Sequence, residues 1–271
     1  MSNLKTLTLK EKQDASLEVL LYLHKFCEEH SITYYLAYGT LIGAVRHHGF
    51  IPWDDDVDVL VPRPDYELLL NIFCDPTGTF KLFSCTKDRD YVLPYAKIQN
   101  LKTARLTPNG MIVNQGIGID LFPLDALPDD LEAAKRTFKE KNDKFVHIVH
   151  RFEMFRYMKP SSIKDYLKIF IGKISFATGY LRKVGQEAGA DMFGCDYRNS
   201  KKVSSVVGIH SGIFRVFEKK WFDKMYMTFE GHELVVPAGY NEILKLIYRD
   251  YTQLPPESER ESTHTDSFVW R

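Results

Sequence analysis

Between Thr8 and His30 the residues Leu17, Leu20, Leu21, His24 and Cys27 recur at helical spacing, and Thr8 stands three residues ahead of Glu11 as a capping box. The spacing predicts an amphipathic helix. "ITYYLAYGT" (32–40) is rich in β-forming residues and stops at Gly39, after which "TLIGAVRHHG" reads as a short helix closed by Gly49. Beyond Pro52, "VDVLV" (57–61) reads as a strand and "PDYELLLNIF" (64–73) as a helix with proline in its first turn. "TFKLFSC", "YVLPYAKIQ" and "GIGIDLFPLD" follow as apolar runs of strand length, the last broken by Pro123.

From Asp129 the period changes to that of helices, in "DDLEAAKRTFKEKNDKFVHIVHRFEMF" and, past Pro160, in "IKDYLKIFIGKISFATGYLRKV". The expected fold is therefore α/β (α+β), a mixed sheet core flanked by helices with a mainly helical second half. Three segments are expected: a core over 1–128, a helical insertion over 129–207, and a C-terminal segment over 208–271 that returns to the core.

Composition narrows the class. The 271 residues carry 36 Lys plus Arg against 36 Asp plus Glu, so no bulk field draws the chain to nucleic acid. The four cysteines are scattered without metal-ligand spacing and are expected to be reduced thiols, with no zinc site. No window has the length and apolarity of a membrane span and the N-terminus is too polar for a leader, which predicts a cytoplasmic protein with at most peripheral membrane contact.

Charge is concentrated in one place. "IPWDDDVDVLVPR" (51–63) puts four aspartates at the entrance to an apolar strand. A solvated loop would explain an isolated acidic run, but unpaired charge beside buried strand residues is expensive. Alternation along extended chain sorts Asp54, Asp56 and Asp58 onto one face and Asp55, Val57 and Val59 onto the other. Neighbouring carboxylates on one face repel unless a cation lies between them, and a hard divalent ion with oxygen ligands is the expected occupant. A calcium loop is the rival, and it requires glycine and a bidentate glutamate where this chain has Val59 and Asp65.

Asp120 interrupts the apolar run of "GIGIDLFPLD" and is expected to join the set, whereas Asp125 reads as structural. Gly39 and Thr40, at a strand-to-helix junction, are placed to offer backbone N–H groups to a phosphate. Lys97 and Arg46 are candidate phosphate ligands, set against a solvated strand edge and a helix C-terminus respectively, and the latter reading is preferred for His47 and His48.

The stretch "YYLAYGTLIGAVRHHGFIPWDDDVDVLVPRPDYE" resembles the signature of the LicD family, and the resemblance continues through "KIQNLKT", "GIDLFPLD", "FEGHELVVPAGYNEIL" and "LPPESERESTH". It implies a nucleotidyltransferase-like core and transfer of phosphocholine, or a related phospho-alcohol, from a CDP-linked donor such as CDP-choline to a sugar hydroxyl. Glycan or lipid-linked oligosaccharide precursors of teichoic acid or lipopolysaccharide are the implied acceptors. Residue by residue, the resemblance puts an Asp-x-Asp pair on Asp56 and Asp58, a metal-facing carboxylate on Asp120, Asp54 one step outside, and a phosphate-facing turn on Gly39 and Thr40. Arg260 and His264 fall on its closing motif. Tyr248-Arg249-Asp250-Tyr251 departs from the family's Tyr-Gly-Asp-Tyr.

Under that reading Asp56, Asp58 and Asp120, with help from Asp54, are expected to hold one or two Mg²⁺ or Mn²⁺ ions at the diphosphate; Asp56, Asp58 and Asp120 are catalytic, with Asp120 first in line to take the acceptor's proton. An aromatic cage for a quaternary ammonium is expected among Trp53, Tyr34, Tyr35, Tyr38, Phe122 and Trp270, with Trp53 foremost. The segment 163–183, which mixes lysines with large apolar residues, reads as a core helix with a wet face or as a membrane-surface helix. Two other functions stay open: a nucleotidyltransferase acting on a nucleoside triphosphate, and a non-catalytic nucleotide- or sugar-binding protein.

Overall fold

The computed structural model describes residues 5–107, 110, 112–145, 160–205, 214–261 and 266–271. Its first helix, α1 (Leu9–Glu29), begins at the expected capping box: the Glu11 carboxylate accepts from the Thr8 backbone N–H at 2.7 Å, and the Thr8 hydroxyl accepts from the Glu11 N–H. Its apolar side, including Val19, Leu20, Leu23 and Phe26, is buried against the central sheet.

That sheet is built from β1 (Tyr35–Leu36), β2 (Asp58–Pro62), β3 (Phe80–Phe83), β4 (Ala96–Asn100) and β7 (Gly118–Ala126), in the order β1-β2-β7-β4-β3. The β2–β7 pairing is parallel and the others are antiparallel. The far end of β7 continues onto β8 (Lys202–Ser204) and then β9 (Phe217–Glu218). Beside the main sheet stand a hairpin of β10 (Lys224–Phe229) and β11 (His232–Pro237), and a small sheet in which β12 (Ser267–Trp270) pairs with β5 (Thr103–Leu106), itself paired with β6 (Ile112–Val113). The end of the chain thus returns to its first half as a strand.

The helices are α2 (Tyr38–Ile42), which runs into a π-turn over Gly43–His47, then α3 (Arg63–Ile72), α4 (Leu131–Phe145), α5 (Ile163–Ala177), α6 (Tyr180–Gly189) and α7 (Tyr240–Tyr248). Among the described residues, helices dominate 131–145 and 160–189, and strands resume after them.

Two local expectations are corrected. The strand expected over 32–40 is only Tyr35–Leu36, because Tyr38 adopts a positive φ of 48° and the backbone turns there into α2. That helix closes on His48, in the left-handed region at φ 55°, rather than on Gly49.

The apolar run at Pro123 is not broken; β7 passes straight through it. Asp120 donates its N–H to Val57 on the β2 side, so alternation aims the nitrogen of residue 123 to the opposite side. There the β4 pairing has ended at Leu121 and the β8 pairing begins only at Asp125. Proline sits where no donor is required.

Asp125 is fully buried and held by both arms of Arg63, whose Nη2 donates to Oδ2 at 2.9 Å. A paired and hydrogen-bonded charge can be carried in a core that would not accept a lone one. This agrees with its structural reading.

Candidate active site

Burial alternates along the acidic run: Asp55, Val57 and Val59 are buried while Asp54, Asp56 and Asp58 are half-buried. Asp55 faces inward because it has a partner there, the Lys12 ammonium of α1 at 2.8 Å. Only Asp58 of the four lies within β2; the other three precede the strand.

The register of three adjacent strands then sets the floor of the site. Asp58 on β2 is the parallel partner of Asp120 on β7, and Asp120 is the antiparallel partner of Lys97 on β4. Residues paired directly across a sheet project on one face, so the three side chains form a row. Lys97 Nζ lies 2.7 Å from Asp120 Oδ1. The row opens onto a cavity of about 710 Å³ lined also by Asp56, Tyr38, Tyr95, Phe122 and Tyr248.

The electrostatics of the row follow from its position. Burial pushes the Asp58 carboxyl well above the usual carboxylate range, and Asp120 and Asp56 push the same way. Burial likewise raises Asp120, while Lys97 and a hydrogen bond with Tyr95 pull it back. Burial works against the Lys97 ammonium, but the charge of Asp120 and its hydrogen bond, together with the charges of Asp56 and Asp58, leave Lys97 raised. Burial also pushes the Tyr38 hydroxyl up to about 12, so it stays protonated.

The Gly-Thr turn clamps this acidic run. The Thr40 hydroxyl, buried, accepts the Asp58 backbone N–H at 2.9 Å, and the Ala37 N–H is donated to the Asp58 carbonyl at 3.0 Å. A Cβ on Gly39 would stand 3.0 Å from Asp54 Oδ2, so glycine there makes room for that carboxylate. Gly39 and Thr40 do not themselves line the cavity.

Of the side chains expected at the site, Asp56, Asp58, Asp120 and Lys97 come together on the cavity, with Asp54 behind them. Arg46 does not join them: its guanidinium donates to the carbonyls of Tyr251 and Gln253, at 2.9 and 3.1 Å, and fastens the segment after α7. Trp53 is also off the cavity, between His47, with ring centroids 6.4 Å apart, and the Arg260 guanidinium, 5.9 Å from its ring. Arg260 is occupied on that ring and on the Pro255 carbonyl. His264 lies outside the described residues.

Among the other aromatics of the expected cage, Tyr34 and Tyr35 are core and Trp270 is exposed on β12, leaving Tyr38 and Phe122 on the cavity wall. They are joined there by Tyr91, Tyr95 and Tyr248, which sequence reasoning missed. Tyr91 has a buried hydroxyl without a hydrogen-bond partner among the described residues. The alternation that places Lys97 also places Tyr95 on the same face of the chain, a signal available in the sequence. Arg215 on the wall, by contrast, sits in no motif.

The donor set suits a hard cation in kind and in charge: three carboxylates, all oxygen, against one ammonium. Among the described residues, no three His, Cys, Asp or Glu side chains are gathered closely enough to hold a metal as they stand. Asp58 and Asp120 are the pair around which such a site would close. Among the described residues, no helix is long and apolar enough to cross a membrane.

The family model described as "LicD/FKTN/FKRP, nucleotidyltransferase domain" matches residues 31–158, which contain the whole row of Asp58, Lys97 and Asp120. Over 265 residues, 96% of this chain and 97% of the other, the sequence is 28% identical to the lipopolysaccharide cholinephosphotransferase LicD of Haemophilus influenzae. Shorter matches join it to uncharacterised proteins of Rickettsia typhi, 38% identical over 24% of this chain and 21% of the other, and of Rickettsia prowazekii, 45% identical over 16% of each. A LicD-family domain thus matches the part of the chain that carries the acidic row, and the likeness to a LicD protein runs nearly from end to end.

Proposed function

We propose that this protein is a LicD-like phosphotransferase that moves phosphocholine from CDP-choline to a sugar hydroxyl of a lipopolysaccharide-type glycan. The observation that carries the reading is the row Asp58, Asp120 and Lys97 on the cavity floor, in a chain similar over nearly its whole length to a lipopolysaccharide cholinephosphotransferase. The teichoic acid precursors implied by the family resemblance are the other acceptor class to be tried.

In the reaction the acceptor oxygen attacks the choline-bearing phosphorus, the P–O bond to the CMP phosphate breaks, and CMP leaves with that bond's electron pair. The acceptor's proton passes to a carboxylate. Asp120 is the first candidate, since burial raises its proton affinity, and Asp58 is the second. Lys97 donates one N–H to Asp120 and has two more to offer to phosphate oxygens. The Asp56, Asp58 and Asp120 carboxylates, with Asp54 behind them, would hold Mg²⁺ or Mn²⁺, which supplies charge neutralisation at the diphosphate. Tyr38, Tyr95, Phe122 and Tyr248 offer ring faces to the quaternary ammonium.

The test is incubation with CDP-choline, Mg²⁺ and lipopolysaccharide from a choline-free strain. CMP release with choline on the glycan is expected. The word nucleotidyltransferase in the family description keeps the rival chemistry in view, attack on the α-phosphate of CTP. Diphosphate release from CTP, without choline transfer, would refute the proposal in favour of that rival.

A further inference from the structure

Helix α5 is built the wrong way round for a helix packed on a core. Ile163, Tyr166, Leu167, Phe170, Ile171 and Ile174 occupy positions i, i+3, i+4, i+7, i+8 and i+11, one continuous stripe along the helix. In a core helix such a stripe faces inward. Here every one of the six is exposed, from 44% for Ile171 to 89% for Ile163, and Gly172 is the buried residue of the helix. Isolated exposed apolar side chains need no explanation, but six in register do.

The charges are arranged around that stripe. At 100° per residue, Lys164 and Lys168 border one side of it and Lys173 the other, all exposed. Asp165, the helix's acidic residue, points away from the stripe: its carboxylate accepts from the Ser161 hydroxyl at 2.9 Å and from Lys168 at 3.3 Å, and its N–H is donated to the Ser162 hydroxyl that caps the helix. An apolar face bordered on both sides by lysines matches an anionic lipid surface: the side chains enter the acyl boundary and the ammonium groups reach the headgroups. A second copy of this chain would bring its own lysine borders against these, so charge disfavours self-association through the stripe.

The helix is joined to the body of the protein through its neighbour. Its neighbour α6 lies directly on the body of the protein: Gly185 and Gly189 rest on the Val92 and Pro94 carbonyls, where a Cβ would approach to 2.1 and 2.2 Å. Arg182 and Gln186 both donate to the Cys85 carbonyl at 2.7 Å. The opposite side of α5, at Gly172 and Phe176, is wall of the cavity above the acidic row.

We infer that the outer face of α5 docks on anionic membrane, with Ile163, Leu167, Phe170 and Ile174 inserted and the lysines on the headgroups, so that the cavity stands at the lipid surface. The inference does not depend on which group the enzyme transfers, and its test contains neither donor nor acceptor. The full chain is floated with vesicles of phosphatidylcholine containing phosphatidylglycerol, and with phosphatidylcholine alone. Binding to the anionic vesicles is expected, weakened by salt and at least tenfold weaker without the anionic lipid. Leu167→Glu with Phe170→Glu should reduce binding at least tenfold, and Lys164→Gln with Lys168→Gln severalfold, with thermal melting unchanged because all four side chains are exposed. Absence of binding by the unsubstituted chain overturns the inference. So does binding that the glutamate pair leaves intact, or a dimer in sedimentation that the same pair dissolves while vesicles are ignored.

Discussion

Asp58 and Asp120 stand side by side across the parallel pairing of β2 and β7, two carboxylates that burial has raised and that share one ammonium, Lys97, on the Asp120 side. If this pair carries the chemistry, Asp58→Asn and Asp120→Asn should each lower kcat by about a hundredfold or more, the range of a lost acid–base or charge-stabilising group. Steady-state CMP release checks it, and a residual rate within threefold of the unsubstituted enzyme for either variant removes that residue from the mechanism.

Lys97 compensates charge as well as lining the cavity. Breaking a fully buried pair costs about 3–5 kcal/mol, and partial exposure of Lys97 brings the expectation for Lys97→Met to about 2 kcal/mol. Combined with Asp120→Asn, the double variant should lose less than the sum, with a coupling of about 1 kcal/mol in urea unfolding. Strict additivity would mean that the two groups do not sense each other.

The position of Trp53 reverses the first expectation for choline recognition. Because Trp53 packs on His47 and Arg260 and not on the cavity, Trp53→Ala should change the KM for a choline-bearing donor less than about twofold, while exposing the segment around Arg260 to proteolysis. Tyr248→Ala should instead raise that KM between about twofold and thirtyfold, the value of one cation–π contact, and Tyr248→Phe should restore it. Equal effects of the Trp53 and Tyr248 substitutions would place the ammonium elsewhere.

What could be read in the sequence divides by distance along the chain. The acidic run was legible because alternation is a local property: residues 54, 56 and 58 separate from 55, 57 and 59 wherever the backbone is extended. Asp120 was legible because a charge inside an apolar run needs a reason. The pairing that puts Asp120 beside both Asp58 and Lys97 was not, since register between distant strands is set by the whole sheet. The contacts of Arg46 and Trp53 were not legible for the same cause: their partners, Tyr251, Gln253 and Arg260, lie some two hundred residues away. Pro123 misled because the gap between two neighbouring strands is invisible in a single stretch.

Arg63 and Asp125 offer a control with no expected catalytic part. Arg63 is nearly buried and Asp125 fully so, and Arg63 also donates to the Gly189 carbonyl at the end of α6. Arg63→Met should cost about 3–5 kcal/mol by leaving Asp125 charged and alone, with kcat per folded molecule within about twofold of the unsubstituted enzyme. A large loss of kcat with stability intact would assign the pair to the site.

The raised carboxylates predict a dependence of stability on pH that a metal should cancel. In metal-free protein, Asp58 and Asp120 are protonated in both folded and unfolded chains below about pH 4, so they exert no differential effect there. As pH rises from that point through their raised native values, the unfolded chain gives up its protons first and the native chain holds more. The native state therefore loses stability with rising pH over this window, the opposite of a salt-bridged aspartate whose native pKa is depressed. Replacing both by asparagine should flatten that part of the curve and raise the melting temperature at neutral pH. With the chelator removed, Mg²⁺ should raise the melting temperature of the unsubstituted protein near pH 8, where both carboxylates are most readily ionised, and leave the asparagine variant unmoved. Parallel curves for the two proteins, with and without Mg²⁺, would show that the row neither stores repulsion nor holds a cation.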